Sequence, residues 1–145
     1  MTAEAERLHV LVADDEPHIG RIIKMKLEQG PFTVTLAYDG REALDALAQD
    51  RDVALVLLDL MMPHLSGLDV LARMRSDTRW QRLPCIILTA AGQEQHHREA
   101  MALGASEFLT KPFSPKKLYA RAADLLGVGE DQDTPGAKER RIPES

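Results

Sequence analysis

The chain carries a single cysteine, Cys85, so no disulfide within it can form. Cys85 opens an apolar run and reads as a buried thiol rather than a nucleophile, which leaves the redox compartment unconstrained but compatible with cytosol. Positive charge is in deficit: 18 Lys and Arg against 23 Asp and Glu give a formal net charge of -5. A broad electrostatic footprint for nucleic acid or an anionic membrane is therefore absent. Long hydrophobic runs are lacking too, since the longest, Val53 to Leu58, falls far short of the roughly 20 residues that span a bilayer. The first residues, MTAEAERLHV, lack a basic segment followed by a long apolar one, so a cytoplasmic protein without membrane contact is expected. There is no internal repeat.

What remains is ordinary globular material, 44% hydrophobic and 28% charged, in 145 residues. That suits one domain with a proper core plus a tail. Val53 to Gly67, VALVLLDLMMPHLSG, organises it. Its apolar residues do not alternate with polar ones, as in a strand covered on both faces, and the run ends on Asp59 before Pro63 and Gly67 turn the chain. The spacing predicts Asp59 at the carboxyl edge of a parallel sheet, presented to solvent.

Four more strand-and-helix pairs surround this one. Leu8 to Ala13 is a buried strand that runs into Asp14, Asp15 and Glu16. Ile19, Ile22, Ile23 and Leu27 give a helix stopped by Gly30-Pro31, and Phe32 to Ala37 and Glu42 to Gln49 give the next strand and helix. Leu68 to Met74 is helical, Thr78 to Pro84 is a polar link, and Cys85 to Leu88 is a strand ending at Thr89. A polar helix from about Gln93 to Leu103 stops at Gly104. Glu107 to Leu109 is a short strand ending at Thr110 and Lys111, and Ser114-Pro115 reads as an N-cap opening the last helix. Five such alternations predict an α/β fold, a doubly wound five-stranded parallel sheet with helices on both faces. The division expected is an N-terminal extension over 1–7, a folded domain over 8–126 and a disordered tail over 127–145, where Gly, Pro and mixed charge leave little to bury.

Strands one, three, four and five end at the same edge, which predicts that Asp14, Asp15, Asp59, Thr89 and Lys111 converge. Clustered carboxylates raise one another's pKa unless a cation neutralises them, and hard oxygen ligands without His or Cys suit Mg²⁺. A metal, an ammonium and a hydroxyl together match the equatorial oxygens of a phosphoryl group transferring to a carboxylate. Asp59 is the natural acceptor.

At this point the chain resembles the receiver domain of bacterial two-component response regulators. VLVADDEP (Val10 to Pro17), LLDLMMPHLSG (Leu57 to Gly67), ILTA (Ile87 to Ala90) and GASEFLTKPF (Gly104 to Phe113) carry the resemblance, which spans about Leu8 to Leu126. It implies a flavodoxin-like (βα)5 fold with strand order 2-1-3-4-5. It also implies a Mg²⁺ site made of Asp15, Asp59, the backbone carbonyl of Met61 and, through water, Asp14. Asp59 would be the phospho-acceptor, Thr89 the switch hydroxyl, Lys111 the phosphate-binding lysine and Phe108 the switch aromatic, where many members have tyrosine. A cis Lys111-Pro112 peptide is a further implication.

The partners implied are a sensor histidine kinase or histidine phosphotransfer protein, which donates the phosphoryl group, and a downstream protein target. The switching face is the fourth helix, fifth strand and fifth helix. KPFSPKKLYARAADLL resembles the same stretch in receivers of winged-helix transcription factors, with Arg121 at a charged position, so a homodimer through that face is an expectation. No effector domain follows in these residues, and direct DNA binding is not expected. Autocatalysed phosphorylation and slow self-dephosphorylation are expected instead of conventional enzyme activity. Met61 and Ala91, two residues after Asp59 and Thr89, have no polar side chain to orient a water, which predicts a long-lived phosphoryl group.

Several features are expected to carry less. His96 and His97 diverge by about 100° on their helix and read as surface histidines. His64 reads as a solvated loop residue and Trp80 as a packing anchor, with its fluorescence as an available reporter on the site. Ile19 to Met25 is either core or, as in the resembled family, a kinase-docking surface. Among rival functions, a haloacid-dehalogenase type hydrolase would have a second acid where Met61 stands. A nucleotide-binding module would have a glycine-rich loop where DDEPHIG stands. An interaction module that has lost phosphorylation would not need the acids and Lys111.

Overall fold

The computed structural model describes residues 7–50, 52–90 and 92–128. Five parallel strands, β1 (Leu8–Ala13), β2 (Phe32–Ala37), β3 (Val53–Asp59), β4 (Cys85–Ala90) and β5 (Glu107–Lys111), form one sheet in the order β2-β1-β3-β4-β5. Helices α1 (Pro17–Leu27), α2 (Gly40–Gln49), α3 (Gly67–Arg75), α4 (Glu94–Ala102) and α5 (Pro115–Leu126) follow the strands in turn. This is the flavodoxin-like α/β architecture expected.

Strand alternation splits the core in two. Leu11, Ala13, Val56, Leu58, Cys85 and Ile87 pack against α2, α3 and α4 through Leu47, Leu71, Met74 and Ala100. Val10, Val12, Leu55, Leu57, Ile86, Leu88 and Leu109 pack on the other face against Ile23 and Leu27 of α1 and Leu118 and Ala122 of α5. Each strand side chain faces opposite to its neighbour, so parity along a strand decides which helices a residue meets. Both layers are apolar, and that is why no alternation is visible in the sequence.

The helix ends are set by local chemistry. Asp39 accepts a hydrogen bond from the Glu42 N–H and starts α2 two residues before the apolar stripe suggests. Ser66 and Asp69 form a reciprocal capping box on α3. Ser114 accepts from the Lys117 N–H, with Pro115 opening α5 as expected.

The ordered contacts reach slightly beyond 8–126. Arg7 donates to the carbonyls of Glu28 and Phe32. After α5, Gly127 takes a left-handed φ of 67°, and the Val128 N–H returns to the Ala123 carbonyl in a Schellman closure. The rest of the expected tail and the first six residues lie outside the described residues. No helix among the described residues is long and apolar enough to cross a membrane.

Candidate functional site

The site grows from three strand ends that point the same way. Asp59 shares its parity with Leu55 and Leu57, Asp14 with Val10 and Val12, and Lys111 with Leu109, which places all three toward the α1 and α5 side of the sheet. Lys111 Nζ lies 3.0 Å from Asp14 Oδ2, 3.3 Å from Asp59 Oδ2 and 3.3 Å from Glu16 Oε1. Asp14 Oδ1 accepts the Glu16 N–H at 2.9 Å and Asp59 Oδ1 the Met61 N–H at 3.3 Å. Asp15, exposed, completes a group in which Asp14, Asp15 and Asp59 each offer an oxygen within 4.8 Å of the others. The Lys111-Pro112 peptide is cis.

Asp59 is not presented to solvent as the spacing suggested. It is 6% exposed. The Gly67 N–H donates to the Leu60 carbonyl, and a Cβ on Gly67 would strike the Asp59 carbonyl oxygen, so only glycine lets α3 begin this close to the strand end. Burial, and then the Asp14 carboxylate, push the Asp59 carboxyl up to about 7, while Lys111 and the Met61 N–H hold it back. For Lys111, burial works downward but the Asp14, Asp59 and Glu16 carboxylates outweigh it, so its pKa stands above the ordinary lysine value.

Asp14 is 1% exposed, and its Oδ2 accepts no hydrogen bond. Lys111 sits at ion-pair distance from that oxygen, outside hydrogen-bonding angles. A buried, under-satisfied carboxylate oxygen beside two further carboxylates, with no His or Cys, is a donor set that fits a small hard cation such as Mg²⁺.

Thr89 does not join this cluster directly. Its parity is that of Cys85 and Ile87, so it faces α4, is fully buried, and its Oγ1 lies 2.8 Å from His97 Nε2. Phe108, 38% exposed, stacks on the same His97 ring. His97 is thus no plain surface histidine: it links the two residues expected to switch. His96 fits the surface reading, half-buried and bonded to Glu99. His64 is exposed at a left-handed φ of 70°, and Cys85 is a buried thiol that burial pushes up to about 12. Trp80 packs on the core under the Arg79 guanidinium, at the opposite edge of the sheet from Asp59, which disqualifies it as a nearby reporter. In α1, Ile23 is core whereas Ile22 and Met25 are exposed.

A five-stranded parallel sheet in this order, with an acidic group and a lysine at its carboxyl edge, defines a receiver-like signalling domain. The sequence matches the response regulator receiver domain family over residues 10–123, and the chain belongs to that family. It is 38% identical over 117 residues, 81% of its length, to the transcriptional regulatory protein SrrA of Staphylococcus aureus. Those residues cover 47% of SrrA, so the chain spans about half the length of the curated relatives it matches. Among solved structures, the receiver domain of Francisella response regulator 1452 superposes with a TM-score of 0.75 at 36% identity, covering 83% of this chain and 98% of that one. The chemotaxis response regulator CheY4 of Vibrio cholerae does so with a TM-score of 0.77 at 28% identity, covering 82% and 98%.

Proposed function

We propose that this receiver accepts a phosphoryl group on Asp59 from the phosphohistidine of a sensor histidine kinase or a histidine phosphotransfer protein. The observation that carries the reading is a buried carboxylate sharing one lysine ammonium with Asp14 and Glu16. An Asp59 oxygen attacks phosphorus, the P–N bond breaks as the P–O bond forms, and the donor imidazole leaves. Lys111 supplies a fixed charge for the phosphoryl oxygens and keeps Asp59 ionised enough to attack. Asp14, Asp15, Asp59 and the Met61 carbonyl would hold Mg²⁺, which neutralises the carboxylates and the incoming phosphoryl charge when bound.

Thr89 and Phe108 are the moving parts of the output, and the α4, β5 and α5 face is the surface that a downstream protein reads. In the resting arrangement Arg121 is bound to Glu107 at 2.7 and 2.5 Å and to Asp124 at 3.1 Å, so a homodimer through this face would have to reuse or break those pairs. Ile22 and Met25 offer the kinase an apolar contact on α1. A diffusible regulator, a phosphorelay intermediate and a phosphate sink share these residues. Met61, 59% exposed and apolar, supports slow hydrolysis of the phosphoryl group; Ala91, the other such position, lies outside the described residues.

Acetyl phosphate with Mg²⁺, read by intact mass, tests the reading. A gain of about one phosphoryl group that is lost in Asp59→Asn and in EDTA is expected. No gain, even with a phosphorylated kinase as donor, would overturn it.

A further inference from the structure

One side chain touches both residues assigned to the switch. Period-two alternation sends Thr89 and Phe108 to the α4 side of the sheet, and His97 of α4 meets them there. His97 Nε2 is 2.8 Å from Thr89 Oγ1, and its ring lies on Phe108 with centroids 4.0 Å apart and planes at 27°. Thr89 has no solvent access, so its hydroxyl has no bulk water to turn to. Phe108, lacking a hydroxyl, cannot anchor its own ring by a hydrogen bond.

We infer that His97 is a positioning residue that latches the switch at rest, holding the Thr89 hydroxyl toward α4 and the Phe108 ring outward. The inference deepens the proposed function and rests on it. A threonine hydroxyl has one proton to donate. While that proton is given to Nε2 it is withheld from a phosphoryl oxygen on Asp59, and turning toward the phosphoryl group breaks the bond to His97. Phe108 cannot turn inward without leaving the His97 ring face. The same imidazole therefore opposes both movements, and losing either contact weakens its hold on the other residue. The latch requires Nε2 to accept, which puts the ring proton on Nδ1.

Its strength is measurable because a ligand that binds only the switched arrangement is weakened by the fraction of protein held in the other. Beryllofluoride with Mg²⁺, a mimic of a phosphoryl group on a carboxylate, is titrated into the whole chain and followed by NMR. The parent, His97→Ala and His97→Phe are compared, with amide spectra confirming that each is folded. His97→Ala is expected to bind about five- to tenfold more tightly than the parent. His97→Phe, which retains the stacking and loses the hydrogen bond, should fall between them. Before any beryllofluoride is added, the amide resonances of Asp59 and Lys111 in His97→Ala should already sit part of the way toward the bound positions of the parent. Both residues face the other side of the sheet from His97, so a merely structural side chain would not produce that shift.

Equal or weaker binding in His97→Ala would overturn the latch, as would a ¹⁵N spectrum showing the His97 proton on Nε2. A parent that binds beryllofluoride normally while its variants do not differ sinks the latch alone. A parent that binds none sinks the proposed function and the latch with it.

Discussion

The two edges of the sheet use the same kinds of polar residue to opposite ends. At the amino edge, Arg75, His9 and Ser106 each close on partners. Arg75 donates at 2.9 Å to the Trp80 carbonyl and at 2.9 and 3.3 Å to the Gly104 carbonyl, tying α3 to the chain entering β4 and β5. His9 pairs with Asp50 through Nδ1 and with Thr35 through Nε2, and Ser106 bonds Cys85 through both its N–H and its Oγ. At the carboxyl edge, Asp14, Asp59 and Glu16 share one ammonium, and a buried Asp14 oxygen is left without a hydrogen bond. Satisfied polar groups hold a fold together, whereas a surplus of buried negative charge costs stability until a cation or a new bond relieves it.

The sharpest break of this comparison is Asp59→Asn. It should abolish the phosphoryl mass gain, yet raise stability in EDTA at pH 8 by about 2–4 kcal/mol in urea unfolding. The sign follows from a folded pKa of about 7 against an ordinary 3.8. Raising the pH from about 4 to 7 ionises the unfolded carboxyl first, so the metal-free protein loses stability across that window, and above it the loss is complete. The variant should lack that slope, and Mg²⁺ should raise the parent's melting temperature more than the variant's. A parent with no such slope would remove the contrast between the edges.

Arg75→Ala tests the other edge, where the same step from charged to neutral should destabilise. Two carbonyls lose a charged donor, and a cost of about 2–3 kcal/mol is expected in urea, with phosphoryl acceptance retained. His9→Ala, which releases Asp50 and Thr35, should cost about 1 kcal/mol and also leave acceptance unchanged. Ser66→Ala sharpens the comparison by placing a satisfied group at the carboxyl edge. Losing the capping box of α3 should cost about 1 kcal/mol, as at the amino edge, because closure of the bonds and not location decides the sign. A stabilised Ser66→Ala would show that location decides instead.

Much of the fold was legible because its signals are local. All five strands and five helices arise where apolar runs, Pro, Gly and capping residues place them, and the strand bounds of β1, β2 and β3 agree with the sequence reading. The acidic group was legible as well, since Asp14, Asp15 and Asp59 follow strands whose common direction is set by the parallel topology. The burial of Asp59 was not, because it depends on contacts between segments far apart in the chain, such as the approach of Lys111 and Asp14.

His97 was missed for a related reason. On its helix it is one of two adjacent histidines with nothing in the local pattern to separate them, and only the pairing of β4 with β5 sets Thr89 and Phe108 beneath one of them. The sequence by itself determined the order of elements, the two-sided core and the acid-rich edge, since periodicity, turn chemistry and strand direction act over a few residues. Tertiary structure alone decided which face each strand-end side chain takes and what meets it there. In strands apolar on both sides, parity has no polar marker to reveal it, and the meeting of α4 with β4 and β5 is a contact between segments far apart in the chain.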